Sequence, residues 1–131
     1  MPSFAEQLAE FSDGTIRKVE IAIARSFEDV MDMAQRPVGK GGRMPIDTGA
    51  LQRSSYVTLA GRRVVEGQEF HAGKLSAYRV GAKMSAGWDA YYAGYVEFGA
   101  QGRRPYYFAS TAVAAWPATL EHNLRMVANV A

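Results

Sequence analysis

The 131-residue sequence contains no cysteine, which excludes disulfides, thiolate metal sites and cysteine nucleophiles. Histidine is almost as scarce. His71 and His122 are the only two. They lie far apart and form neither a His-x-x-x-His nor a Glu-x-x-His spacing, so no metal centre or histidine-based triad is expected. No apolar run approaches the roughly 20 residues of a membrane span. The start, Met1-Pro2-Ser3-Phe4-Ala5-Glu6, lacks a basic segment leading into an apolar one, so no secretory leader is expected. Neither sign of charge dominates, because a net +2 permits nucleic-acid contact without arguing for it.

What is present is the composition of one folded domain spanning 1–131. Hydrophobic residues make up 48% and charged residues 21%, enough for a single modest core. Ser3 and Glu6 spell a capping box at the start of a helix. Phe4, Leu8, Phe11, Val19, Ile23, Phe27, Val30 and Ala34 then recur at helical spacing, with Glu10, Arg17, Lys18, Arg25 and Asp32 largely on other faces. The pattern predicts one long helix within residues 1–35, ended by Arg36-Pro37. As an unbroken rod it spans about 50 Å. A domain of this size has a diameter of roughly 36 Å. An unbroken helix therefore overhangs its own body, and its apolar stripe needs a partner. Gly14 is the one place where a break is expected instead.

Residues 36–47 read as a flexible, glycine-rich basic loop. A β-rich core over 48–100 is expected, opening with a short helical turn from Thr48 to Ser54 capped by Asp47 or Thr48. The β-rich runs Ser55–Ala60, Arg63–Phe70 and Ala77–Ala82, separated by glycines, predict a small antiparallel sheet of about three to four strands. Tyr91–Phe98 fits either a strand or a short helix, with Gly99 as its stop. Phe108, Ala112, Ala115, Thr119, Leu120, Leu124 and Val127 give a C-terminal helix over 105–130, kinked near Pro117 or restarted there. Terminal helices around a small sheet make the fold class α+β.

Three patterns suggest chemistry. Asp47-Thr48-Gly49-Ala50 spells the tetrapeptide of retroviral-type aspartic proteases, which pair two aspartates by dimerising. Such enzymes place it after an apolar strand in an almost all-β fold. Here a glycine-rich basic loop precedes it, and turn capping by Asp47 is the simpler role. Gly39-Lys40-Gly41-Gly42 lacks the spacing and the Lys-Ser/Thr ending of a phosphate loop. Lys40, Arg43, Arg53, Arg62, Arg63, Arg103 and Arg104, interleaved with tyrosines, suit nucleic-acid contact through phosphates and stacking. Tyrosine is equally favoured at protein interfaces, and no recognition-helix or RNA-binding motif accompanies these residues.

Pro45-x-Asp47-Thr48-Gly49-Ala50-Leu51-x-Arg53-Ser54, a β-rich middle, Tyr92-Ala93-Gly94-Tyr95-Val96-Glu97-Phe98-Gly99, then Arg104-Pro105-x-x-Phe108 and a closing helix occur in that order. From about residue 44 onward this order resembles the small neck and tail-completion family of long-tailed phages, related to the lambdoid minor tail protein Z. Two features depart from it: a longer stretch from Gly61 to Ser76, and Pro117 in the last helix.

The resemblance implies a non-enzymatic virion protein at the head–tail junction, without a cofactor and assembled in a bacterial cytoplasm. It implies a ring matching the sixfold tail, between a head connector or head-closure protein and a tail terminator or tail-tube protein, around the DNA channel. Prophage remnants and gene transfer agents use related proteins. For that role the expected self-contacts are Phe4, Leu8, Phe11, Tyr92, Tyr95 and Phe98, with the helix stripe docking on a neighbour's sheet or last helix. The expected partner or DNA contacts are Lys40, Arg43, Arg103 and Arg104. The alternatives are a small DNA-binding accessory module and, behind it, the aspartic protease dimer.

Overall fold

Ser3 opens the first helix through a reciprocal pair of hydrogen bonds. Its hydroxyl accepts from the Glu6 N–H at 3.2 Å, and the Glu6 carboxylate accepts from the Ser3 N–H at 3.0 Å. A computed structural model describes residues 3–46, 49–67, 75–100 and 102–128. In it helix α1 runs unbroken from Phe4 to Gln35, straight through Gly14. Its length is about 48 Å at 1.5 Å per residue. It ends where Arg36 turns extended (φ −67°, ψ 125°), as the following Pro37 requires.

The sheet is antiparallel and three-stranded, in the order β2-β1-β3. β1 (Ser55–Leu59) lies in the middle, β2 (Arg62–Glu66) on one side and β3 (Met84–Trp88) on the other. β1 alternates cleanly: Ser55, Val57 and Leu59 are buried, whereas Tyr56 and Thr58 face outward. Ala60 and Gly61 close the β1–β2 hairpin, both at positive φ (54° and 83°). That is the geometry of a two-residue type I′ turn. The register shifts between Val57 and Thr58, leaving Val64 as the extra residue of a bulge. On the outer face Gly87 lies opposite Tyr56, and a Cβ there would come within 2.7 Å of the Tyr56 hydroxyl.

Two clusters make the core. In the first, Ala24 and Met31 of α1 meet Val57, Leu59 and Val65 of the sheet, with Leu75 and Tyr78 closing one side. In the second, Met44, Leu51 and Phe108 pack together, and Trp88 bridges both. Helices α4 (Phe108–Ala114) and α5 (Trp116–Ala128) also pack against α1. Phe27 and Trp116 stack edge-to-face there, and Asn123 Nδ2 donates to Ser26 Oγ and Asp29 Oδ2.

Buried and half-buried polar side chains on α1 hold distant segments to it. Gln35 Nε2 donates to the Gln52 carbonyl and to Ser55 Oγ, while its Oε1 accepts from the Trp88 indole at 2.7 Å. Glu20 accepts from the Val80 N–H and Glu28 from the Leu75 N–H. Every buried side-chain donor and acceptor among the described residues is satisfied, as a stable interior demands.

The α+β architecture matches the sequence reading, but several elements move. Ala77–Ala82 is not a strand: it turns, with Tyr78 N–H bonded to Leu75 and Ala82 N–H to Arg79. The third strand is Met84–Trp88 instead. The second run stops as a strand at Glu66, and residues 68–70 lie outside the described residues. Tyr91–Phe98 resolves as a helix, α3 (Ala93–Phe98), ended by Gly99 at φ 81°.

The short helix α2 (Ala50–Arg53) has Gly49 as its N-cap, at φ 80°. Asp47 and Thr48, the expected caps, lie outside the described residues, as does His71. The C-terminal segment is two helices parted at Ala115, with Pro117 in the first turn of α5, where its missing N–H costs nothing. Of the expected C-terminal stripe Phe108, Ala112 and Val127 are buried, but Leu124 is exposed and its neighbour Asn123 is buried instead.

Residues 37–46, expected to be a flexible loop, carry regular hydrogen bonding. Val38–Lys40 is a 3-10 turn. The Gly42 N–H bonds Pro37, and Met44 exchanges bonds with Arg36 and Val38. Met44 is wholly buried.

Candidate interaction surfaces

The three segments that carry the family resemblance meet at one place, the second core cluster. Leu51 comes from the first segment and Met44 immediately precedes it, Tyr92, Ala93 and Val96 come from the second, and Phe108 from the third. Backbone bonds lock the last two together: Tyr106 N–H donates to the Val96 carbonyl and Tyr107 N–H to that of Glu97. Gly99 permits this. A Cβ on it would lie 2.7 Å from the Arg103 carbonyl and 3.0 Å from the Pro105 nitrogen.

Glu97, buried, accepts from the Ala109 N–H at 2.9 Å and the Ser110 N–H at 3.1 Å. Those are first-turn amides of α4 that lack intrahelical acceptors. The quoted motif residues are therefore chiefly architectural. Glu97 caps a helix that lies eleven residues downstream, a role its own neighbourhood in the sequence does not reveal.

The surface this cluster presents is aromatic. Tyr91, Tyr95 and Phe98 follow one another at helical spacing and are 89%, 63% and 70% exposed. Tyr106 and Tyr107 are also exposed, the latter at a positive φ of 51°. Of the expected self-contacts here, Tyr95 and Phe98 point outward. Tyr92 is half-buried in the cluster, and the neighbouring Tyr91 takes the outer position. The spacing of 91, 95 and 98 carries that signal once the segment is known to be helical.

The other expected self-contacts lie on the first half of α1. Phe4 is 80% and Leu8 56% exposed, and Ile16 is exposed with them. Phe11 belongs to the same helix, but its side chain lies outside what is described. From residue 3 to residue 16 every described side chain is exposed, and the first buried one is Glu20. The helix thus overhangs the body by about 20 Å.

A third apolar surface is a groove of about 350 Å³ where the C-terminal half of α1 meets β3, α4 and the start of α5. Phe27, Met31, Ala86, Trp88, Val113 and Trp116 line it, with Ser85 the one polar contributor. β3 borders it along the edge that no described strand pairs. No local pattern announces this groove, because four elements build it.

Lys40, Arg43, Arg103 and Arg104 are all exposed, and none makes an ion pair among the described residues. Lys40 and Arg43 follow α1; Arg103 and Arg104 precede α4. Arg63 is committed elsewhere. It clamps Asp89 with two bonds of 2.7 Å and lies over the Tyr56 ring at 4.0 Å. The hydrogen bond from Arg63 holds the Asp89 carboxyl below its ordinary value of 3.8, and Asp89 in turn holds the guanidinium more firmly protonated. Both groups are exposed, so the pair contributes little to stability.

Among the described residues no group of three or more histidine, aspartate or glutamate side chains is placed to hold a metal, and no helix is long and apolar enough to cross a membrane. Comparison of the chain with protein-family models, with curated proteins and with solved structures returns no match.

Proposed function

We propose that the chain is a non-enzymatic subunit of a ring at the head–tail junction of a long-tailed phage, prophage or gene transfer agent, joining or completing the tail around the DNA channel. The observation that carries this reading is the overhang of α1. A helix exposing Phe4 and Leu8 about 20 Å beyond its own body presents apolar surface that no other described residue covers and that suits another chain. The aromatic face of α3 supports it, since exposed, rigid tyrosine and phenylalanine side chains are suited to anchoring at protein seams. Residues from all three segments of the family resemblance pack in the cluster beneath that face, which gives their order in the sequence a common purpose.

The protease alternative gains no support. Three strands between helices are not the β-rich frame that aligns two such aspartates, and Asp47 lies outside the described residues. Four exposed cations with no ion pair among the described residues favour some contact with DNA or an acidic neighbour as a secondary feature. A DNA-binding module would lose duplex affinity steeply with salt, whereas a joining subunit has only weak affinity at any salt.

The test is genetic. A stop codon early in the gene should leave DNA-filled heads and separate tails that fail to join, restored by the chain supplied in trans. Complete, infectious particles formed without the chain would refute the proposal.

A further inference from the structure

We infer that the overhanging end of α1 seats in the α1–β3–α4–α5 groove of a second copy of this chain, making a head-to-tail contact. This rests on the reading of the chain as a self-assembling subunit and specifies which surfaces meet. The two surfaces are both apolar, and neither is covered among the described residues. One is a helix face presenting Phe4 and Leu8 at i, i+4; the other is an apolar groove walled by two tryptophans. A small-molecule site would need several convergent polar groups, and only Ser85 is available.

Net charge also differs in sign between the overhang and the rest of the chain. Residues 3–16 hold Glu6, Glu10 and Asp13 and no lysine or arginine, so with a chain total of +2 the remainder carries five excess positive charges. Copies therefore attract overhang to body and repel overhang to overhang.

The contact must be between molecules. Leu8 and Phe27 lie on the same unbroken helix, about 28 Å apart at its rise per residue, so no chain can place its own overhang in its own groove. Contacts of this heterologous kind close into a ring when the rotation per copy allows, and run on as a filament when it does not. A few buried side chains offset little of the freedom lost on pairing, so the contact is weak between two free copies and gains strength on closure.

The absence of cysteine supplies the test. Full-length Leu8→Cys and Val113→Cys chains are mixed at high concentration and oxidised. Both positions are exposed, so neither change threatens the fold. The expected result is a shift from 14.3 kDa to a disulfide-linked species of twice that mass. Leu8→Cys mixed with Val80→Cys, an exposed site outside the groove, should remain at background.

Three results would overturn the inference: linkage no greater than in the Val80→Cys control, preferential linkage of Leu8→Cys to itself, or a doubly substituted chain that closes within one molecule. If the link forms and particles assemble without the chain, the docking stands and the junction role falls. If the chain is required for particles and the link does not form, the docking alone falls.

Discussion

Replacing Glu97 by alanine removes the one side chain that caps α4. The carboxylate accepts from Ala109 and Ser110, and Tyr107, at the N-cap position, contributes no side-chain bond of its own. Loss of a cap costs about 0.5–2 kcal/mol. Hydrogen bonds to a charged group are worth about 1.5–3 kcal/mol. The two ranges describe the same bonds and do not add, so the expected destabilisation is where they overlap, about 1.5–2 kcal/mol. For a chain of this length that lowers Tm by roughly 5–10 °C.

Glu97→Gln keeps the shape and one acceptor, and should lose about half as much. Glu66→Ala is the control, because its partner Arg63 is exposed and the pair is a surface one, worth about 0–1 kcal/mol. Urea unfolding followed by circular dichroism reads all three from the midpoint, at constant slope. If Glu97→Ala costs no more than Glu66→Ala, Glu97 does not fasten α4, and the motif's glutamate needs another explanation.

Three further perturbations probe separate parts of the molecule. Ala60 sits at φ 54° in the hairpin turn, and Ala60→Asn should stabilise by about 0.5–1 kcal/mol, since asparagine accepts that conformation readily; a fall in the urea midpoint would contradict the turn. A Cβ on Gly42 would lie 1.9 Å from the Arg36 carbonyl, so Gly42→Ala must open residues 37–46 and expose Met44, at a cost of about 2–4 kcal/mol. Amide exchange at Val38 and Met44 should accelerate, and unchanged protection would refute the packing. The Asp89 carboxyl titrates below 3.8 in the folded chain, so its contribution is complete above that pH and is lost as pH falls through the lower, folded value. Carboxyl NMR should find that depression and its disappearance in Arg63→Gln; equal titration in both would rule out the clamp.

The long helix was legible because its signals are local: a capping box, a 3.6-residue stripe and a terminating proline. Even its overhang follows from length alone. The third strand was not legible, since Met-Ser-Ala-Gly-Trp has no strand preference of its own. It exists because β1 offers an edge and Tyr56 needs a neighbour as small as Gly87. Ala77–Ala82 looked like a strand from its tyrosine and valine, but carboxylates far away on α1 anchor that stretch through Leu75 and Val80.

The aromatic face was half legible. The sequence points to Tyr95 and Phe98, whereas Tyr91 facing outward and Tyr92 turning inward follow only once the segment is known to be helical. The groove had no signature, because residues from four elements form it only after folding.

Imaging intact particles at side-chain resolution tests most directly whether this polypeptide exists to bind copies of itself within a larger assembly. The account predicts a closed ring of this chain between head and tail, with the acidic first turns of each α1 buried against the adjoining subunit. Density that places the chain as an isolated copy with Phe4 and Leu8 in solvent, or particles that contain none of it, would contradict the account.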